Sequence, residues 1–257
     1  MKKELVDTHC HLYLEDFESD LRNIMDRAAQ EGVRRIYMPS IDSNHLKRML
    51  ELQKTYVGTC YSMLGLHPCY VRDNYRDELQ LMKNALEKDQ FFAIGEIGLD
   101  YYWDRSYDDQ QMICFLEQID MAVTHNLPIV IHSRSSMDAC IEVLRAKKES
   151  GVRGIFHCFS GSLQNAKDII DCGFVLGIGG VVTYKNSGLA AVVADVPLEH
   201  IVLETDAPYL TPVPFRGKRN ESSYLKYIVA KIAEVKNISE DEVAAVTTAN
   251  ANRIFGY

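Results

Sequence analysis

Eight short apolar runs recur along this chain, and their spacing constrains the fold more than any other feature. They are Leu5–Val6, Arg35–Met38, Cys60–Leu66, Phe91–Ile97, Ile129–Ile131, Ile155–Phe159, Phe174–Ile178 and Ile201–Leu203. Each is continuous and rich in β-branched or aromatic residues, the signature of parallel strands buried on both faces. Their starts lie about 20 to 40 residues apart, which leaves room for a crossover helix in every interval. The intervals read as helices. Asp16–Gln30 carries Leu21, Ile24, Met25 and Ala28 at helical spacing, with Gly32 as a stop. Ser43 is expected to cap a helix through Met49 and Leu52, and Ser162 to cap Leu163–Asp171, which Gly173 ends. Ser239 with Glu242 forms an expected capping box ahead of Asp241–Ile254.

Eight strand–helix units in 257 residues describe an α/β fold, a single (β/α)8 TIM barrel over residues 1–257 with its active site at the C-terminal ends of the strands. An open doubly wound sheet is the alternative, but no Gly-x-Gly-x-x-Gly turn follows the first run. No apolar stretch approaches the ~20 residues that span a bilayer. Met1-Lys2-Lys3 runs straight into Glu4 and Asp7 without a signal-peptide core, and the 7 cysteines are odd in number. The expectation is a reduced, cytoplasmic protein with no membrane contact and no obligate protein partner. The net charge of −8 argues against long-range capture of nucleic acid, so an anionic substrate needs local positive charge, from a basic loop or bound metal.

The residues at the expected strand ends supply that possibility. Run one ends Asp7-Thr8-His9-Cys10-His11, run three Gly65-Leu66-His67-Pro68 and run four Gly95-Glu96-Ile97-Gly98-Leu99-Asp100. Run five ends Ile131-His132-Ser133-Arg134, run six Phe156-His157-Cys158-Phe159-Ser160-Gly161 and run eight Glu204-Thr205-Asp206-Ala207-Pro208. His9 and His11, two apart on extended chain, point to one side, leaving Cys10 for the barrel wall. A pair of hydrogen-bonded histidines would explain His-x-His alone. Adding Glu96, His132, His157 and Asp206 makes six titratable groups, and burying them without a cation would leave several unsatisfied. Imidazole with carboxylate is the ligand set of Zn, Mn, Fe or Co, and six ligands are too many for one catalytic ion. Two ions sharing a carboxylate fit better.

These motifs resemble the TatD family of metal-dependent deoxyribonucleases, a branch of the amidohydrolase-like metal barrels. The likeness is carried by Asp-Thr-His-Cys-His-Leu (7–12), Gly-Leu-His-Pro (65–68), Gly-Glu-Ile-Gly-Leu-Asp-Tyr (95–101), His-Cys-Phe-Ser-Gly (157–161) and Glu-Thr-Asp-Ala-Pro-Tyr-Leu (204–210), in order along the chain. Arg216-Gly217-Lys218-Arg219-Asn220 resembles the family's basic loop. The resemblance implies two divalent ions (Zn, Mn, Mg or Co) and hydrolysis of DNA phosphodiesters, often from the 3′ end of single strands. It also implies that His9, His11 and Asp206 hold the first ion, that Glu96 bridges, and that His132 and His157 hold the second. Where many relatives in the wider superfamily place a carboxylated lysine, this chain has Glu96. Where the family often has proline after the Asn-Glu of the basic loop, it has Ser222, which bears on how the next helix starts.

The catalytic pair is then Glu96 and Asp206, the latter both ligand and acceptor of a proton from a water that the ions activate. His67 is expected to donate to a substrate phosphate, or else to brace the loop before Pro68. Glu204 is expected to hold substrate or water, or to orient a histidine ligand. Arg134 and Arg216 are expected to grip phosphates at the mouth, and Lys218 and Arg219 either to join them or to be solvated. Tyr101, Tyr102 and Trp103 either stack bases or pack their loop. His45, His125 and His200 carry no expected function, and Cys10 and Cys158 are not expected to act as nucleophiles. The same centre also suits an amide, lactone or phosphotriester, and a non-catalytic metal-binding module is a third reading.

Overall fold

A computed structural model describes residues 4–256. All eight apolar runs become strands: β1 (Leu5–Asp7), β2 (Val33–Pro39), β3 (Cys60–Met63), β4 (Ile94–Asp100), β5 (Ile129–Arg134), β6 (Gly154–Phe156), β7 (Val175–Ile178) and β8 (Ile201–Leu203). The helices between and after them are α1 (Leu21–Gln30), α2 (Leu46–Thr55), α3 (Tyr75–Leu86), α4 (Asp108–Thr124), α5 (Met137–Lys147), α6 (Leu163–Asp171), α7 (Leu189–Asp195), α8 (Leu225–Lys236) and α9 (Glu240–Phe255).

Every ladder is parallel, and each strand neighbours the next in sequence. Two seams, β3 to β4 and β8 to β1, carry isolated bridges in place of ladders. Leu64 N–H donates to Ala93 C=O and Gly95 N–H to Leu64 C=O at the first seam. At the second, Thr8 N–H donates to Leu203 C=O, Asp206 N–H to His9 C=O and His11 N–H to Ala207 C=O. The result is a TIM-type barrel. The β8–β1 seam is held by the residues that flank the expected ligands, so the closure of the barrel and the geometry of the site share bonds.

Strand alternation divides the core. One buried cluster takes Val6, Tyr37, Tyr61, Met63, Ala93, Val130, Ile155, Val175 and Val202, which lie on or beside each of the eight strands and fill the interior. Phe255 of α9 stacks on Tyr37 within that cluster, ring centroids 3.6 Å apart. The larger cluster packs the outward residues against the helices. Among the described residues no helix is long and apolar enough to cross a membrane.

Several boundaries move from where the pattern places them. Residues 15–17 form a separate 3-10 turn that buries Phe17, and α1 begins only at Leu21. Asp42, not Ser43, accepts the capping bond, from His45 N–H, and a 3-10 turn precedes α2. Ser43 instead gives its N–H and hydroxyl to the buried Glu78 carboxylate of α3. Ser162 caps α6 in a full capping box with Asn165, and Gly173 follows at φ +85°. Ser239 accepts from Glu242 N–H, and α9 starts one residue earlier than expected. β4 runs on to Asp100 because Gly98 allows it. Gly98 sits at φ +135°, and a Cβ there would lie 2.1 Å from His132 C=O, so glycine lets β4 and β5 approach and brings Asp100 level with Arg134.

Two glutamines of α4 position the loops around the site. Gln118 accepts from Leu66 N–H and donates to Leu66 C=O, and Gln111 does the same at Asp100. Each fully buried amide therefore satisfies a strand end that has lost its ladder partner.

Candidate metal centre

All six expected ligands converge at the C-terminal mouth of the barrel. His9 and His11, on the extension of β1, bring their Nε2 atoms within 3.2 Å of each other. His9 Nε2 is 3.1 Å and His11 Nε2 3.5 Å from Glu96 Oε2. Asp206 Oδ1 lies 3.5 Å from His11 Nε2 and 3.8 Å from both His9 Nε2 and His157 Nε2. On the other side of Glu96, Oε1 is 2.9 Å from His132 Nδ1 and 3.7 Å from His157 Nε2. Glu96 thus stands between two groups of donors, one oxygen toward each. Cys10 turns the other way, into the core.

The outer bonds of the histidines show which nitrogen is turned to the centre. Tyr13 donates its hydroxyl to Pro39 C=O, so it can only accept from His11 Nδ1, 3.0 Å away. The His11 proton therefore sits on Nδ1, and Nε2 presents a lone pair. His157 Nδ1 faces Glu204 Oε2 at 3.1 Å, and His132 Nε2 faces Asp100 Oδ2 at 2.9 Å, so each donates outward to a carboxylate. The inward nitrogens and the carboxylate oxygens accordingly crowd one another at the centre. Acceptors packed this closely repel unless protons or cations lie between them, and the N and O donor set suits a divalent transition ion. His9 differs: its buried Nδ1 has no hydrogen-bond partner among the described residues, and no bond there holds its tautomer. It stacks instead on His157, centroids 3.4 Å apart.

The electrostatics follow from this crowding. Burial raises the Glu96 and Asp206 carboxyls, but the surrounding histidines overcome it and hold both below the usual carboxylate range. Burial, helped by the neighbouring His157 and His11 and opposed by Glu96, lowers His9 to about 4. For His157 burial also lowers the value, but Glu204, Glu96 and Asp206 raise it to about 10. His132 is raised as well, its burial outweighed by Asp100 and Glu96. Metal-free protein therefore holds at pH 7 a proton on His157 that a bound ion must displace. A histidine raised above its ordinary 6.5 contributes stability that is complete below 6.5 and lost as pH rises through about 10. Competition with metal runs the same way, so zinc affinity of chelator-treated protein is expected to rise with pH across that window. Titration calorimetry in buffers of different ionisation enthalpy should show net proton release at pH 7. No release would mean that His157 is neutral before metal arrives.

A cavity of ≈ 670 Å³ opens above the centre, lined by His11, His67, Glu96, His132, His157 and Asp206, with Arg134, Trp103, Tyr70 and Tyr209 at its walls. Several other expected residues are placed differently. Glu204 is completely buried, with Oε1 accepting from Cys158 N–H and Oε2 on His157, so it orients a ligand and does not meet substrate. Gly177 leaves it room, since a Cβ there would lie 2.2 Å from Glu204 Oε2. Arg216 is outside the cavity wall, its guanidinium over the Tyr184 ring at 4.3 Å. Arg219 forms a two-pronged ion pair with Asp20 and tethers the loop.

Arg134 remains at the mouth, exposed and stacked over Tyr102 at 3.9 Å and Trp103 at 5.0 Å. Tyr101 packs inward, whereas Tyr102 and Trp103 are exposed. Ser222 does more than start a helix. Its hydroxyl donates at 2.6 Å to buried Asp7, two residues from His9. Asp100 and Tyr13 are the supporting residues the pattern did not single out. Tyr13 lies two beyond His11, on the same side of an extended chain, which is the one signal that marked it.

A model of the family described as TatD related DNase matches residues 6–256. An uncharacterized metal-dependent hydrolase of Bacillus subtilis, YabD, is 40% identical over 252 residues, covering 98% of each chain. A Danio rerio protein named as a candidate deoxyribonuclease, tatdn3, is 34% identical over 99% of this chain and 98% of its own. The crystal structure of YjjV, a TatD homologue from Escherichia coli, superposes with a TM-score of 0.94 at 32% identity, covering both chains completely.

Proposed function

The chain belongs to the TatD-related DNase family, whose relatives are metal-dependent hydrolases, and on that premise we propose that it cleaves DNA phosphodiesters at a centre of two divalent ions, working from the 3′ end of single strands. The observation that carries this reading is the crowd of imidazole nitrogens and carboxylate oxygens around Glu96, divided into two groups by its two oxygens. His9, His11 and Asp206 would hold one ion and His132 and His157 the other, with Glu96 placed to serve both. When bound, the ions supply a nucleophile at neutral pH and offset the charge of the phosphoryl group. The chain's own residues do the rest. Asp206, whose carboxylate lines the cavity, accepts the proton of the attacking water. Glu204, Asp100 and Tyr13 hold the rings with their inner nitrogens aimed at the centre. Arg134, propped by Tyr102 and Trp103, holds the phosphate of the incoming strand. The chain acts as a single barrel domain.

One observation favours a second reading, hydrolysis of a neutral ester, amide or phosphotriester. Among the described residues that line the cavity, Arg134 is the only lysine or arginine, and Leu14, Ile41, Val181 and Leu210 line it too. A digestion panel separates the two: single- and double-stranded DNA, RNA, and simple esters and amides, each with Mg, Mn, Co or Zn. Single-stranded DNA is the expected substrate. Arg134→Ala is expected to lower kcat/KM for DNA by about 10–100-fold, the worth of one charge-assisted hydrogen bond, and to leave neutral substrates unchanged. Turnover of neutral substrates alone would replace the first reading by the second.

A further inference from the structure

His67 reaches the centre, yet its hydrogen bonds are the reverse of those of the other histidines. Nε2 points inward, 3.3 Å from Glu96 Oε1 and 3.2 Å from His132 Nδ1. Nδ1 faces the backbone N–H of Cys69 at 3.0 Å, and an amide N–H can only donate. Nδ1 is therefore the bare nitrogen of His67, and its proton sits on Nε2, the atom aimed into the cavity. His11, His132 and His157 donate outward, whereas His67 accepts outward and presents a proton inward.

The arrangement is built into the chain. Pro68 has no N–H, so the first free amide of the 3-10 turn Pro68–Tyr70 is that of Cys69, and the His67 ring caps it as a serine or aspartate would. His67 N–H donates to Ile41 C=O, and Tyr70 N–H donates to His67 C=O, which fixes the backbone on both sides. The ring meets His132 edge-on, centroids 4.4 Å apart, and is nearly buried. Protonating Nδ1 would set two N–H groups against each other, and removing the Nε2 proton would leave an imidazolate. The ring is thus held neutral with one donor whose direction does not change.

We infer that His67 is the hydrogen-bond donor for the reacting phosphoryl group: Nε2–H binds a non-bridging oxygen and strengthens that bond as charge develops there, keeping its proton throughout. This rests on the phosphodiester reading above, and it excludes His67 from both the metal ligands and the proton carriers. A preorganised donor of this kind contributes about 10²–10³-fold in kcat.

The experiment has one readout independent of substrate. A long-range proton–nitrogen correlation spectrum of zinc-loaded, histidine-labelled protein should show His67 protonated at Nε2 and not at Nδ1. A proton on Nδ1 would overturn the inference even if DNA is cleaved, and a proton on Nε2 supports it even if another substrate is found. His67→Ala should lose about 10²–10³-fold in kcat on DNA with both zinc ions retained, and His67→Gln, whose amide still donates, should recover at least about tenfold. Loss of a zinc ion from His67→Ala would make the residue a ligand. Equal losses in both variants with equal falls in melting temperature would make it a brace for the loop. Either result overturns the inference.

Discussion

Glu96→Gln is expected to abolish turnover and to empty at least one metal position while leaving the barrel folded. The substitution keeps the size of the side chain but replaces one charged acceptor by a neutral donor. Glu96 Oε1 stands 2.9 Å from His132 Nδ1, and Oε2 stands 3.1 Å from His9 Nε2, so both oxygens serve the centre at once. An amide offers a single acceptor, and its NH2 would be directed at a set of lone pairs. The carboxylate is also the anion on which His67, His9 and His157 act, and its two oxygens lie closer to both halves of the site than Asp206 does, 3.1 Å from His9 and 2.9 Å from His132. Losing several kcal/mol of charge stabilisation in the transition state corresponds to at least about 10³-fold in kcat. Elemental analysis should give fewer than two ions per chain for the variant. If it keeps both ions and more than a tenth of the wild-type rate, Glu96 does not bridge.

The second large effect is expected on stability. Asp7 is completely buried and accepts four hydrogen bonds: from Thr205 N–H at 2.9 Å, Thr205 Oγ1 at 2.7 Å, Ser222 Oγ at 2.6 Å and His9 N–H at 3.3 Å. One carboxylate therefore ties the end of β1 to the end of β8 and to the turn before α8, across a seam that has few ladder bonds. Asp7→Ala takes the acceptor from four buried donors, of which the Thr205 hydroxyl keeps only a long bond of 3.5 Å to His9 C=O, and each unsatisfied group costs about 1–3 kcal/mol, less what water entering the gap recovers. A net loss of about 3–5 kcal/mol is expected, a large share of the 5–15 kcal/mol typical of a folded domain. Urea denaturation of chelator-treated protein measures it. Because His9 is bonded to Asp7 through its N–H and Asp206 follows the bonded Thr205, zinc affinity should fall too. A change below about 1 kcal/mol would mean that the seam does not depend on this carboxylate.

Much of this was legible in the chain because short-range rules sufficed. The strands could be read from continuous apolar runs, since a strand covered on both faces has no polar side to interrupt it. His9 and His11 could be paired because extended residues two apart share a side, and Glu96, His132, His157 and Asp206 because the ends of parallel strands meet at one mouth. Helix starts were less legible. Asp42 and Ser43 are both capping residues, and the choice between them was made by Glu78 of α3, which claims Ser43 from 35 residues away. Glu204 and Arg134 likewise carry the right chemistry for substrate, but only packing separates the buried carboxylate behind His157 from the guanidinium left at the mouth.

The amino-acid sequence by itself determined the barrel and the residues gathered at its mouth, because periodicity and strand-end position are local properties that eight repeats make unambiguous. The tertiary structure alone decided which nitrogen of His11, His67, His132 and His157 faces the centre and what holds the other. That depends on partners brought from elsewhere: Asp100 for His132 across 32 residues, Glu204 for His157 across 47, and for His67 a backbone amide two residues on. A hydrogen bond fixes a proton only when donor and acceptor meet within about 3 Å, and no spacing along a chain specifies that meeting.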